Sequence, residues 1–206
     1  MRSSFIRIPF VAALAFSVIA QSVHAQSQAG LKRELAQLDK NFTYRGKAVH
    51  PRAIKDLTSW VADPLPGPVA IDVAGTFDTN RYFGDYKIQD NGNVFIDLTQ
   101  RFLEDTGWFS YKHLGRLANG LHVIRTFDNG GGTGVFESIL LIECLIDYEF
   151  KDNGQRRSLL ILRRRGEFGI GDRYDGKITV DTKRNRITIN PDKRNVEKAF
   201  TIQVGI

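Results

Sequence analysis

A single cysteine, Cys144, leaves this 206-residue chain without a partner for an internal disulfide, so packing alone must hold the fold. Metal-ligand spacing is missing as well. The four histidines make no HExxH or similarly spaced set, and no loop follows the EF-hand pattern, so no metal site is expected. There is no Gly-x-Ser-x-Gly, and Ser110, Ser138 and Ser158 fall in strand-like runs with no adjacent histidine. The absence of any repeat of about 20–50 residues argues against a propeller or solenoid. No complete catalytic constellation is present and no cofactor is indicated.

What is present first is an export signal. Arg2 and Arg7 form a basic n-region, Phe10–Ala20 is apolar or small throughout, and Val23-His24-Ala25 is a small-residue cleavage site. Residues 1–25 are therefore read as a signal peptide, with Gln26 beginning the mature chain. The apolar run falls short of the about 20 residues that span a bilayer, so no transmembrane anchor is expected after cleavage. No cysteine follows the run for lipidation, and the two arginines are not adjacent as a twin-arginine signal requires. The expected location is periplasmic or secreted. Removing Arg2 and Arg7 lowers the formal charge from +6 to about +4, a mild basic excess. An anionic envelope component or another exported protein is compatible with that balance; nucleic acid is not an expected partner.

Residues 26–64 read as a small helical region. Leu31, Leu35 and Leu38 make one stripe of a short amphipathic helix, with a mobile mature N-terminus as the alternative. Phe42–Val49 reads as a short strand and turn. Pro51 suits a first helical position, and Ile54, Leu57, Thr58 and Val61 share a face, predicting a helix that ends at Asp63-Pro64. Pro64-Leu65-Pro66-Gly67-Pro68 is a stiff connector to residues 65–206. There, candidate strands cover Val69–Phe77, Tyr82–Ile88, Asn93–Leu98, Trp108–Leu114, Leu121–Phe127, Glu167–Ile170, Lys177–Asp181, Arg186–Asn190 and Ala199–Val204, with a helical turn at Gln100–Asp105. The fold class expected is mainly β: one antiparallel sandwich or barrel behind a small N-terminal helical region.

The richest apolar surface is Val135–Phe150, joined by Lys151-Asp152-Asn153-Gly154 to Gln155–Arg165. Residues two apart share a strand face. The even positions Phe136, Leu140, Ile142, Cys144, Ile146, Tyr148 and Phe150, interrupted only by Ser138, are the expected core face. A three-residue Asp152-Asn153-Gly154 loop sets Leu160 opposite Ile146, Leu162 opposite Cys144, Arg163 opposite Glu143 and Arg157 opposite Glu149, whereas a two-residue Asn153-Gly154 turn shifts every pair. The first register matches apolar with apolar and charge with opposite charge. Each such pair contributes only about 0.2–1 kcal/mol. Cys144 then reads as a buried hydrophobe, and of Arg163-Arg164-Arg165, which alternate faces, Arg163 and Arg165 join Arg157 on a charged side opposed by Glu143 and Glu149.

Two loops flank this hairpin. Asp128–Gly134 is glycine-rich but lacks the Lys-Ser/Thr ending and following helix of a phosphate loop. Gly169–Gly176 places Asp172, Arg173, Tyr174 and Asp175 between glycines, in a setting suited to turns or to ligand contact. An antiparallel pairing brings the two loops to one end. Asp128, Thr133, Asp172, Arg173, Tyr174 and Asp175 are accordingly the candidate ligand-binding residues, with no catalytic residue assigned. His113 and His122 lie on neighbouring candidate strands, close enough to meet. Trp60 and Trp108 are candidates for an exposed binding patch. The functional expectation is an exported, non-catalytic binding or interaction protein of the cell envelope or extracellular space. Its alternative is a hydrolase that acts on an envelope or extracellular polymer through carboxylates such as Asp172 and Asp175.

Overall fold

The computed structural model describes residues 28–59, 69–73, 82, 85–99 and 107–205. The expected signal peptide, the Pro64–Pro68 connector, Trp60 and the helical turn at Gln100–Asp105 lie outside the described residues. The chain is mainly β, as expected, and its largest element is a curled antiparallel sheet, a half-barrel, with helices at the N-terminal side.

That sheet has seven strands in the order β3-β9-β8-β7-β6-β5-β4. They are β3 (Ala70–Asp72), β4 (Lys87–Ile88), β5 (Val94–Asp97), β6 (Trp108–Arg116), β7 (His122–Asn129), β8 (Phe136–Phe150) and β9 (Arg156–Asp172). Before them come α1 (residues 28–41), a two-stranded hairpin β1 (Thr43–Tyr44) and β2 (Lys47–Ala48), and α2 (Pro51–Leu57). After them, β10 (Ile178–Asp181), β11 (Arg186–Ile189) and β12 (Phe200–Gln203) form a separate three-stranded sheet.

The β8–β9 register is the one matched by charge and apolarity. Ile146 faces Leu160, Cys144 faces Leu162, Glu143 faces Arg163 and Glu149 faces Arg157. Lys151 N donates to Gln155 O at 2.9 Å across the loop, and Gly154 takes φ +75°, the left-handed conformation that glycine adopts without a Cβ clash. The charged side is internally paired: Arg163 reaches Glu143 and Asp147, Arg165 reaches Glu143, and Arg157 reaches Glu149 and Asp72.

Three expectations are corrected. First, β9 does not stop at Arg165; it runs unbroken to Asp172, absorbing the segment expected as a separate strand. Two bulges make this possible. Leu141 pairs with Gly166 while Ile142 pairs with Arg164, leaving Arg165 extra, and Glu137 pairs with Gly171 while Ser138 pairs with Gly169, leaving Ile170 extra. Second, the hairpin has no single core face. Leu140 and Ile142 are buried against α1, α2 and β5, while Ile139 and Leu141 are buried against β11 and Tyr174 on the other side. Tyr148 and Phe150, assigned to the core, are 50% and 69% exposed because the hairpin tip projects past β7 and β3, and Phe136, also assigned to the core, is 50% exposed at the opposite, open end. Third, α2 ends at Leu57 rather than Asp63. Thr58 is extended, and both its N–H and its hydroxyl bond to Lys55 O, which satisfies that helix-end carbonyl early.

The first core joins Leu38 of α1, Phe42, Ile54 and Leu57 of α2 to Ile96, Phe109, Tyr111, Ile124, Leu140 and Leu162. Tyr111, fully within it, donates its hydroxyl to Val49 O at 2.6 Å, so the buried phenol is satisfied. The second core lies under β10–β12, where Ile187 and Ile189 meet Val123, Ile139 and Leu141.

Leu162→Ala, which empties a fully buried position, is expected to cost about 2–5 kcal/mol. Tyr148→Ser and Phe150→Ser at the projecting tip should each stay within about 0.5 kcal/mol. Urea titration of the three variants measures both.

Candidate functional site

The open end of the hairpin gathers the two flanking loops. Phe136 lies in register with Asp128 on β7 and Asp172 on β9. Val135 N donates to Asp172 Oδ1 at 2.7 Å, and Arg173 N donates to Val135 O at 2.8 Å. The loops are therefore in direct contact. The six sequence candidates nonetheless face different surroundings.

Asp172 is committed to Arg173, 2.7 Å away, and to the Val135 amide, and these contacts hold its carboxyl below the usual carboxylate range. Asn195 closes over the same strand end, its amide bonding Asp172 N–H and Asp172 O. Tyr174 is buried in the second core and donates to Asn190 O at 2.6 Å. Asp175 and Thr133 are exposed. Asp128 alone of the six lines a large cavity, and there Lys55 of α2 holds both its oxygens at 2.9 and 3.1 Å.

That cavity, about 710 Å³, lies between the end of α2 and the helix-facing side of the sheet; Thr58, Ser59, Asp128, Phe136, Ser138 and Glu167 are among its walls. Its origin is a row of short side chains. Cross-strand pairing aligns Thr126, Ser138 and Gly169 on one face, between the larger row Phe109, Asp128, Phe136 and the row Ile124, Leu140, Glu167. Gly169, itself exposed, leaves a gap in this row: a Cβ there would meet nothing within 4 Å. The floor is a hydrogen-bonded chain. Ser138 Oγ donates to Glu167 Oε1 at 3.0 Å and lies 2.8 Å from Thr126 Oγ1. Ser59 N donates to Glu167 Oε2 at 2.8 Å, and Arg164 pairs with the same carboxylate and with Ser59 Oγ.

Arg164 and Glu167 share this face only because of the bulge at Arg165. Without it, residues three apart in a strand point to opposite sides. Glu137, which also borders the cavity, belongs to the other face, where Arg125 grips it at 2.6 Å. Burial raises its carboxyl pKa against the pull of Arg125. Sequence reading thus missed Lys55, Thr126, Phe136, Ser138, Glu167 and Gly169 as site residues. The legible signal was Ser138, the one polar break in the apolar face.

A second cavity, about 480 Å³, is bordered by Tyr44, His50, Asp85 and Tyr86. His50 itself caps α2, its Nδ1 accepting from Arg52 N at 3.2 Å. Trp108 is half-buried and tilted against Phe95.

His113 and His122 do meet. His122 Nδ1 and His113 Nε2 are 3.1 Å apart, Phe42 packs on both rings, and Asp39 of α1 lies 3.6 Å from His122 Nε2 and 3.3 Å from Arg116. Burial, then His113 and Arg116, push His122 down to about 3, and burial also lowers His113. Among the described residues no group of three or more His, Cys, Asp or Glu is placed to hold a metal ion. Cys144 is a free thiol whose pKa burial drives up, which makes it a poor nucleophile.

Comparison with known proteins finds no matching family model, no similar curated protein and no similar solved structure.

The histidine pair sets a pH dependence. His122 is neutral in the folded chain, and its folded pKa lies below its unfolded value near 6.5. Its contribution is therefore complete above about pH 6.5 and is lost as pH falls towards 3. Wild-type stability should drop more steeply from pH 7 to pH 4 than that of His122→Gln. Paired urea titrations at each pH measure the difference and cancel the opposite trend from Glu137.

Proposed function

We propose that this is an exported, non-catalytic binding protein whose ligand enters the cavity between α2 and the open end of the β8–β9 hairpin. The observation that carries the reading is the state of the two carboxylates on the cavity's helix side. Lys55 chelates Asp128, and Arg164 with the Ser59 amide holds Glu167, so both are engaged inside the protein. A general acid needs a raised pKa and a reachable proton. The cavity carboxyl with a raised pKa, Glu137, points to the opposite face and is tied to Arg125. Size supports the same reading, since ligand sites commonly measure about 300–1,000 Å³ and combine apolar walls with a few fixed polar groups. Export rests on the n-region, apolar run and cleavage site of Met1–Ala25.

Gly169→Leu is the decisive variant, because the space it fills is empty and the backbone there imposes no left-handed φ. In an amide-resolved NMR screen of a mixed small-molecule library, shifts should cluster at Ser138, Glu167 and Gly169 in the wild type. They should vanish in Gly169→Leu while the rest of the spectrum is kept. Clustering around Tyr44 and Tyr86 instead would move the site to the second cavity and overturn the reading. A hydrolase acting through Glu167 would show turnover of a bound polymer that Glu167→Gln abolishes; the binding reading expects no turnover in either form.

A further inference from the structure

We infer that the ligand class of this cavity is a neutral, polyhydroxylated ring, a sugar unit of an oligo- or polysaccharide; the inference rests on the cavity being the ligand site. The floor supplies mainly acceptors. Ser138 spends its single proton on Glu167 Oε1 at 3.0 Å, so the 2.8 Å contact between Ser138 and Thr126 must be made with the Thr126 proton. Both hydroxyl protons are then consumed inside the protein. What is left facing the cavity is lone pairs on Ser138 Oγ and the remaining capacity of the Glu167 and Asp128 carboxylates, Thr126 itself being only 2% exposed. A ligand that fits must bring donors.

Charge decides which donors. Asp128 is neutralised by Lys55 at 2.9 Å and Glu167 by Arg164 at 3.5 Å, so the site is balanced. An anion such as phosphate would face an acceptor floor whose two cations are already engaged. A polyamine would face those cations as like charges. Hydroxyl groups donate without either conflict. The remaining wall matches the other half of a sugar. Phe136, 50% exposed, stands in the row beside Ser138 and gives the polar floor an apolar edge, with Asp128 between it and the fully buried Phe109. A pyranose has the same division, hydroxyls around its edge and C–H groups on its faces, and aromatic side chains take such faces by contact. The cavity volume of about 710 Å³ leaves room for more than one ring.

The probes are N-acetylglucosamine trimer, maltotriose and galactose as neutral sugars, with inorganic phosphate and spermidine as charged controls, each titrated into the full mature chain by amide NMR. At least one neutral sugar should shift Ser138, Glu167 and Gly169. Gly169→Leu should abolish that response, and Phe136→Ala and Ser138→Ala should each weaken it about tenfold, or about 1.4 kcal/mol. Retained dispersion of the remaining amides shows that each variant is folded. If phosphate or spermidine alone perturbs these three amides, the ligand class is wrong while the cavity stands as the site. If sugar shifts survive Gly169→Leu, or if all five probes leave the three amides unmoved, the sugar assignment is overturned; the mixed-library screen then judges the cavity separately.

Discussion

The register of the β8–β9 hairpin is the constraint on which the other elements depend. Strand side chains alternate, so a one-residue slip would exchange whole faces and turn Arg157 and Arg163 towards the helices. The left-handed Gly154 and the Lys151–Gln155 bond fix that register at the tip. Everything else docks on the result: β7 on one flank, β3 on the other, the helices on one face and β10–β12 on the opposite one. Exposed cross-strand ion pairs add about 0–1 kcal/mol each, whereas burying a leucine or isoleucine contributes about 1.5–3 kcal/mol, so apolar matching decides and the charges select between near alternatives.

That hierarchy explains what could be read from the chain. The hairpin pairing was legible because it is local: the turn chemistry and both strands are contiguous, and the mismatch of the other register is visible in the letters. The β-rich class, the strand and turn within Phe42–Val49 and the later strands were legible for the same reason, as short alternating runs between turn residues. The end of α2 was not. Apolar spacing continues through Val61, but Thr58 diverts the backbone by taking Lys55 O with its own hydroxyl, a competition that periodicity does not register.

The bulges hid the site. Counting by twos from Leu160 puts Glu167 and Gly169 on the face opposite Arg164, and the extra residue Arg165 reverses that parity. Once it is reversed, Arg164, Glu167 and Gly169 join Ser138 on one side and the cavity follows. The loop residues Asp172 to Asp175 looked functional because aspartate, arginine and tyrosine between glycines are the residues of a site. They are also the residues of a strand terminus, and here the Asp172–Arg173 pair and the Tyr174–Asn190 bond seal the sheet end. The expectation that the two loops meet was sound, since antiparallel topology requires it; the polar side chains that floor the cavity stand one or two rows further into the sheet.

The seven-stranded sheet is a wall shared by two cores, and this has a consequence for the order in which the chain can become structured. A chain emerging N-terminus first presents α1 and α2 before any of the wall exists. Short helices are marginal by themselves, and the surface that covers Leu38, Ile54 and Leu57 is assembled from strands as distant as β9. The first elements to appear are therefore among those that must wait. Until Leu162 is in place, the helical segment is an uncovered apolar stripe, and the long hairpin, local and self-registering, is the element able to form without it.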